Sequence, residues 1–249
     1  MRALLLILAG ALSAARSPLR EVAPGVETAA AAELGGDPAW SARVVLIDPA
    51  KVSFVVRYDP ARPTLAEWRE RFPRALAILN GSFYSKDPSV RPTCDLVAEG
   101  KPVRGAGCHR QDALFFAAKP RNAVPASLPA PQARLIVPED FRTEQWQEAL
   151  KSFPALVRSG VAACAGAHYC AESSRTAALA QLKDGRILFF ASQWPAVRRE
   201  VGKWLAEFGA VEALNLDGGP EAALAVTAEA SDISTPGVGL PIVLIALPP

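Results

Sequence analysis

Three short stretches of the chain place polar groups and glycines at the tips of apolar runs. In Asn215-Leu216-Asp217-Gly218-Gly219, the run from Val211 to Leu216 ends in a carboxylate followed by two glycines. Glycines at such a point let the backbone approach a ligand closely, and successive amides form an anion-binding nest. The competing reading is a plain strand-ending Asp-Gly turn. Asn80-Gly81-Ser82-Phe83-Tyr84 has the same architecture after the run Ala75 to Leu79. Arg175-Thr176-Ala177 opens a third run, and Arg175 stands in a neutral stretch where its guanidinium could face an anion; otherwise it is a surface arginine at a strand start. One sheet that gathers these tips would create a polar cleft holding Asp217, Asn80 and Arg175.

The elements needed to gather them are legible as periodicities. Arg43 to Ile47 and Val52 to Tyr58 are β-branched runs around Asp48-Pro49-Ala50-Lys51, which predicts a hairpin. Thr64-Leu65-Ala66-Glu67 is a capping box, predicting a helix through Arg71 that Pro73 stops. Asp112 to Ala118 reads as a strand, the proline-rich Lys119 to Asp140 as loop or edge, and Thr143 to Lys151 as a helix. Arg175 to Leu182 and Arg186 to Ala191 flank Lys183-Asp184-Gly185, a second hairpin signal. Val197, Val201, Trp204, Leu205 and Phe208 share one helical face ahead of Gly209. Strands return at Ala222 to Val226 and Ile242 to Leu247. The expected fold class is α+β: one domain with a mixed, mostly antiparallel β-sheet core flanked by a few helices.

Composition narrows the function. The 249 residues carry 27 basic and 25 acidic side chains and are half apolar, an ordinary globular balance without a basic block for nucleic acid. Residues 1–15 read as a signal peptide: Arg2, an apolar run from Ala3 to Leu12, then small residues with cleavage near Ala14 or Ala15. The run is too short for a stable membrane span. Residues 16–37, rich in Ala, Gly and Pro, read as a spacer, and 38–249 as the working domain. Export to the periplasm or beyond makes Cys94, Cys108, Cys164 and Cys170 disulfide candidates. Of three pairings, the local one, Cys94 with Cys108 and Cys164 with Cys170, is preferred. A metal site using His109 and His168 ranks below it, because the spacing matches no zinc pattern. Each histidine reads as a structural or exposed neighbour of a cysteine. There is no nucleophile elbow, P-loop or dinucleotide fingerprint.

Taken in order, Asn80-Gly81-Ser82-Phe83-Tyr84, Pro154-Ala155-Leu156-Val157 with Gly160, Arg175-Thr176-Ala177 and Asn215-Leu216-Asp217-Gly218-Gly219 resemble the motif series of the phosphodiester glycosidase family, the uncovering-enzyme type. The resemblance runs from about Val44 to Leu247. It implies a hydrolase for a sugar-1-phosphodiester and maps Asn80, Gly81, Arg175, Thr176, Asp217, Gly218 and Gly219 onto the family's active-site motifs. The family pattern has a third glycine and a serine where Pro220 and Glu221 stand, a second glycine at Ser82, and often an acid at Tyr84. Proline removes a backbone donor, and Glu221 adds negative charge beside a phosphate site.

The chemistry that this implies needs little acid catalysis, since phosphate is already a good leaving group. It needs a carboxylate near the anomeric carbon and donors for the departing phosphate. Asp217 is the expected carboxylate, as nucleophile, base or electrostatic stabiliser. Arg175 is the expected phosphate ligand. Asn80 would fix a hydroxyl or the phosphate, the Gly218 and Gly219 amides would add donors, and Glu221 is a candidate second carboxylate. The leading expectation is an exported glycoside hydrolase acting on an envelope or exopolysaccharide sugar phosphodiester. Two alternatives stand beside it: a non-catalytic module that binds a glycan or glycan phosphate, and a phosphodiesterase cleaving P–O with a divalent cation held by Asp217, Glu221 and Asn80. No other cofactor is called for, and the oligomeric state is left open.

Overall fold

In the strand Ala42–Ile47, Val45 and Ile47 join one apolar cluster while Val44 and Leu46 join another. Strand Ile187–Ser192 divides in the same way, Phe189 to one side and Leu188 with Phe190 to the other. Period-two burial on both faces means that this sheet lies between two cores. The computed structural model describes residues 17–108, 112–121, 132–164, 168–227, 229 and 232–249. In it these strands belong to an eight-stranded sheet, ordered Arg20–Ala23, Val26–Ala30, Ala42–Ile47, Ile187–Ser192, Ala177–Leu182, Ala210–Asn215, Ala155–Arg158 and Val161–Ala162.

One face of this sheet is covered by the helix Arg198–Glu207, which inserts Val201, Trp204 and Leu205 beside Trp40 and Phe190. Burying each large apolar side chain stabilises by about 1.5–3 kcal/mol. The other face meets a four-stranded sheet ordered Leu224–Val226, Ala77–Asn80, Ile242–Leu247 and Ser53–Tyr58. The far side of that sheet is covered by the helix Leu65–Arg71 through Leu65 and Trp68. The layers therefore run helix, sheet, sheet, helix. A five-stranded sheet (Lys101–Val103, Leu96–Ala98, Trp146–Ser152, Leu114–Pro120, Ala133–Ile136) closes the central core with Leu96, Leu114, Phe116 and Leu150.

The α+β expectation holds in its coarse form, with two corrections. There are several sheets instead of one, and every strand pairing among the described residues is antiparallel rather than mixed. The hairpin expected around Asp48–Lys51 does not form. Ala42–Ile47 pairs with Val26–Ala30 and Ile187–Ser192, whereas Ser53–Tyr58 pairs with Ile242–Leu247, so the turn carries the chain from one sheet to the other. Thr143–Gln145 is a single 3-10 turn and Trp146–Ser152 is a strand paired with Leu114–Pro120, buried on both faces, with Ala149 in one apolar cluster and Leu150 in another. Residues 20–34, expected within a spacer, contribute two strands and a 3-10 turn, with Val26 and Ala31 fully buried. Alanine and glycine hide the alternation there.

Other elements lie where the sequence places them. The Ala177–Leu182/Ile187–Ser192 hairpin pairs antiparallel. In the helix starting at Leu65, the Thr64 N–H donates to Glu67 Oε2 (2.6 Å) and the Glu67 N–H donates to Thr64 Oγ1 (3.3 Å). Disulfides join Cys94 to Cys108 and Cys164 to Cys170. The signal-peptide segment 1–15 and His109 lie outside the described residues. Among the described residues no helix is long and apolar enough to cross a membrane.

Candidate active site

Five strand tips point the same way. In the large sheet, Ala30 pairs with Arg43, Ser192 with Ala42, Ala177 with Ala191, and Ala178 with Asn215. The ends of the second to sixth strands thus form one edge, and Asp217 lies just past the last of them. In the smaller sheet Asn80 ends its strand opposite Val243. The two edges are tied together through backbone groups. Asn80 Nδ2 donates to the Asp217 carbonyl (2.7 Å), the Asp217 N–H donates to the Gly81 carbonyl (3.0 Å), and the Gly219 N–H donates to the Arg175 carbonyl (2.8 Å). The three motifs meet here through contacts to backbone groups.

Close approach explains two of the glycines. A Cβ on Gly81 would lie 2.2 Å from Ile242 Cγ2, and one on Gly218 would lie 2.7 Å from the Arg175 carbonyl oxygen. Any other residue would push the edges apart.

The side chains divide the labour differently from the sequence-based expectation. Asn80 is buried, and its amide also accepts from the Ala223 N–H (2.9 Å), so it positions the Asp217 loop instead of facing a ligand. The Arg175 guanidinium donates to Ala222 O (2.7 Å), to Thr235 Oγ1 and to Ser192 O (3.4 Å), and burial pulls its pKa down. It clasps the loop before Gly237. Thr176 is buried, with its hydroxyl placed to donate to either Ser174 O (3.1 Å) or Ala196 O (3.3 Å). His168 is exposed beside Glu172.

Asp217 is half-buried. Burial first, then the neighbouring Glu221 charge, push its pKa from 3.8 up to about 7, opposed by Lys86, the Gly218 N–H and Arg198. Glu221 is buried in the 3-10 turn Gly219–Glu221, where Pro220 occupies a first-turn position that needs no donor. Its Oε1 accepts from Tyr84 Oη (3.1 Å) and from Lys86 Nζ. Burial draws the Lys86 ammonium down, but the hydrogen bond and charge of Glu221, with Asp217, carry it above its ordinary value. Burial and Glu221 hold the Tyr84 phenol up, and Arg62 Nη2 donates to its oxygen (3.0 Å). Arg198, at the helix start, donates through Nη1 to Tyr169 O (2.7 Å) and Glu172 Oε2 (3.2 Å) and through Nη2 to Ser174 Oγ (3.1 Å), and its charge is felt at Asp217.

The site is therefore two carboxylates four residues apart, faced by Lys86 and Arg198. The sequence reading missed Lys86, Arg198 and Arg62. Lys86 lies two residues past Tyr84, in the bend that follows the Tyr84–Pro92 bridge, and like the other two it reaches the site through tertiary packing.

The residues present do not make a cation cage. Asn80 Oδ1 is taken by a backbone N–H, Glu221 Oε1 by Lys86 and Tyr84, and among the described residues no three His, Cys, Asp or Glu side chains converge.

The sequence matches the family model described as phosphodiester glycosidase over residues 73–241. Several solved structures share the fold. The catalytic domain of zebrafish N-acetylglucosamine-1-phosphodiester alpha-N-acetylglucosaminidase, auto-inhibited by its pro-peptide, aligns with TM-score 0.59 and 18% identity, over 84% of this chain and 76% of that one. A Burkholderia pseudomallei protein described as exported aligns at TM-score 0.60 and 14% identity, over 83% and 74%. A hypothetical protein from Synechocystis aligns at 0.56 and 15%, over 84% and 59%. At these identities the likeness is one of fold. No curated protein matches the sequence significantly.

Proposed function

The chain belongs to the phosphodiester glycosidase family, and on that premise we propose that it is an exported hydrolase that cleaves the glycosyl C–O bond of a sugar-1-phosphodiester in envelope or exopolysaccharide metabolism. The observation carrying this reading is Asp217, a carboxyl with a pKa of about 7 beside Glu221 and two cations. A base with that affinity for protons is matched to taking one from water near neutral pH.

In the step proposed, the ionised Asp217 carboxylate accepts a proton from water while the water oxygen bonds to the anomeric carbon. The C–O bond to phosphate breaks and its electron pair stays on the phosphate oxygen, giving a free sugar and a phosphomonoester. Lys86, the more exposed cation, and Arg198 stabilise that oxygen's growing charge. This moves the phosphate-binding role from Arg175 to Lys86. Glu221 holds Lys86 in place and keeps Asp217 basic. The two disulfides and the neighbour described as exported support an oxidising compartment.

The test is release of free sugar from an N-acetylglucosamine-1-phosphodiester, run in ¹⁸O-water. Label in the sugar supports the reading; label in the phosphate means P–O cleavage and overturns it. The ion pair between Glu221 and Lys86 favours a second reading, a glycan-phosphate binding module with its cation already neutralised. Saturable binding without turnover would establish that one.

A further inference from the structure

Pro220, between Gly219 and Glu221, forms one wall of a cavity of about 260 Å3 that the step above leaves unused. A second wall is the start of the helix Leu65–Arg71, with Thr64, Leu65 and Ala66, and Val238 and Leu240 add to it. We propose that this cavity is the subsite for the second ester arm of the phosphodiester, and that the arm is an apolar alcohol residue, alkyl or aryl, instead of a polar one such as glycerol or a sugar. The proposal rests on the glycosidase reading, which supplies the phosphate from which that arm extends.

The cavity and the carboxylate site share their framework. Glu221, the residue after Pro220, accepts from Tyr84 Oη and from Lys86 Nζ. Tyr84 Oη in turn accepts from Arg62 Nη2 (3.0 Å), and Arg62 stands two residues ahead of Thr64 on the cavity wall. Both walls thus lead back to the Tyr84–Glu221 hydrogen bond. Pro220 is three residues from Asp217, no more than about 11 Å along an extended backbone. In the step above the alcohol stays on the leaving phosphomonoester, whose charge Lys86 takes, and Lys86 rests on Glu221. An arm that leaves this phosphate over the Gly219–Glu221 turn reaches Pro220.

The chemistry of the wall selects the arm. Among the described residues none that lines the cavity is charged, whereas the site beside it carries Asp217, Glu221 and Lys86. Polar groups that border it are already paired within the protein. The Thr64 hydroxyl donates to Glu67 Oε2 (2.9 Å), Thr235 Oγ1 accepts from Arg175, the Ala223 N–H donates to Asn80 Oδ1 (2.9 Å), and the Leu240 carbonyl accepts from Trp68 Nε1 (2.8 Å). A hydroxylated arm would give up water without gaining partners from these groups, and an apolar arm gives up nothing. Arg175 thereby acquires a task, since it ties the Thr235 wall to the Ala222 carbonyl. The volume lies just below the range for small-ligand sites, which is room for a short alkyl chain or one ring.

The experiment compares N-acetylglucosamine-1-phosphodiesters whose second arm is methyl, glyceryl, hexyl or benzyl, by sugar release, and the matching phosphomonoesters by calorimetry. The hexyl and benzyl diesters should exceed the methyl one about tenfold or more in kcat/KM, chiefly through KM, with glyceryl close to methyl. Ala66→Trp, which brings a large ring to the cavity from an exposed helix position, and Val238→Asp, which brings a charge, should each move the hexyl-to-methyl ratio toward one. A ratio taken within one variant is independent of how much of it folds. Hexyl and benzyl no better than methyl, glyceryl equal to hexyl, or a ratio that survives both variants overturns the subsite. Tighter binding of hexyl than of methyl phosphate with no diester hydrolysed keeps the subsite and sinks the glycosidase reading. Hydrolysis of all four diesters at equal kcat/KM does the reverse.

Discussion

Lowering the pH below 7 protonates Asp217, and a protonated carboxyl cannot accept a proton from water. Activity should therefore rise with pH along a limb centred near 7. The neighbours tune that limb in opposite directions. Glu221→Gln removes the charge that raises Asp217 and should move the limb toward acid; Lys86→Ala removes a charge that lowers it and should move the limb toward base. A pH–rate profile of the two variants checks both signs. Asp217→Asn should lower kcat by at least about a hundredfold. It should also stabilise the protein above pH 7. The folded pKa is above the unfolded one, so the native state holds the extra proton between pH 4 and 7 and stability falls as pH rises across that window. The shift from 3.8 to about 7 corresponds to at most about 4 kcal/mol, less what water restores to a half-buried group. Thermal melts at pH 8 and pH 4 should show a gain at the former that fades at the latter. At this scale Asp217 and its glycines were readable because a strand tip is a local pattern. The Lys86–Glu221 pair, 135 residues apart in the chain, was not.

Elements hold the site by packing as much as by hydrogen bonding. Trp204 anchors the helix Arg198–Glu207, which carries Arg198 at its first position, against Trp40 and Phe190. Trp204→Ala should cost about 3–5 kcal/mol, measured by urea denaturation, and lower activity through Arg198. Asn80→Ala should cost about 1–3 kcal/mol by stranding the Ala223 N–H and the Asp217 carbonyl. Its readout beyond stability is a lower kcat without a matching change in KM, because the loop that moves carries the base. The capping box at Thr64 was legible because its partners lie three residues apart. The Trp146–Ser152 strand was misread as a helix because a nine-residue stretch with mixed burial satisfies either period. The Asp48–Lys51 turn shows a further limit: a turn sequence fixes a reversal of direction, not which sheet receives the next strand.

For the molecule as a whole, stability depends on the compartment. The Cys94–Cys108 bridge closes a loop with a sequence separation of 14 in the five-stranded-sheet region, worth about 3 kcal/mol in the chain-entropy picture. Reductant should lower Tm, and Cys94→Ser/Cys108→Ser should reproduce the fall without reductant. The layered class followed from alternating runs, but the N-terminal strands did not, since Ala, Gly and Thr in residues 26–36 carry too little contrast to mark a face.

Those N-terminal strands have a practical outcome. Pro18 and Arg20 line a cavity of about 1040 Å3 together with Arg43 and Gln193, so the described part of the chain begins beside this groove. The last strand runs the other way: Val243 sits opposite Asn80, whereas Leu247 sits opposite Ser53, about 14 Å further along. An affinity handle or surface tether fused after Pro249 would leave the groove unobstructed, while the same handle fused ahead of Pro18 would hang across its mouth.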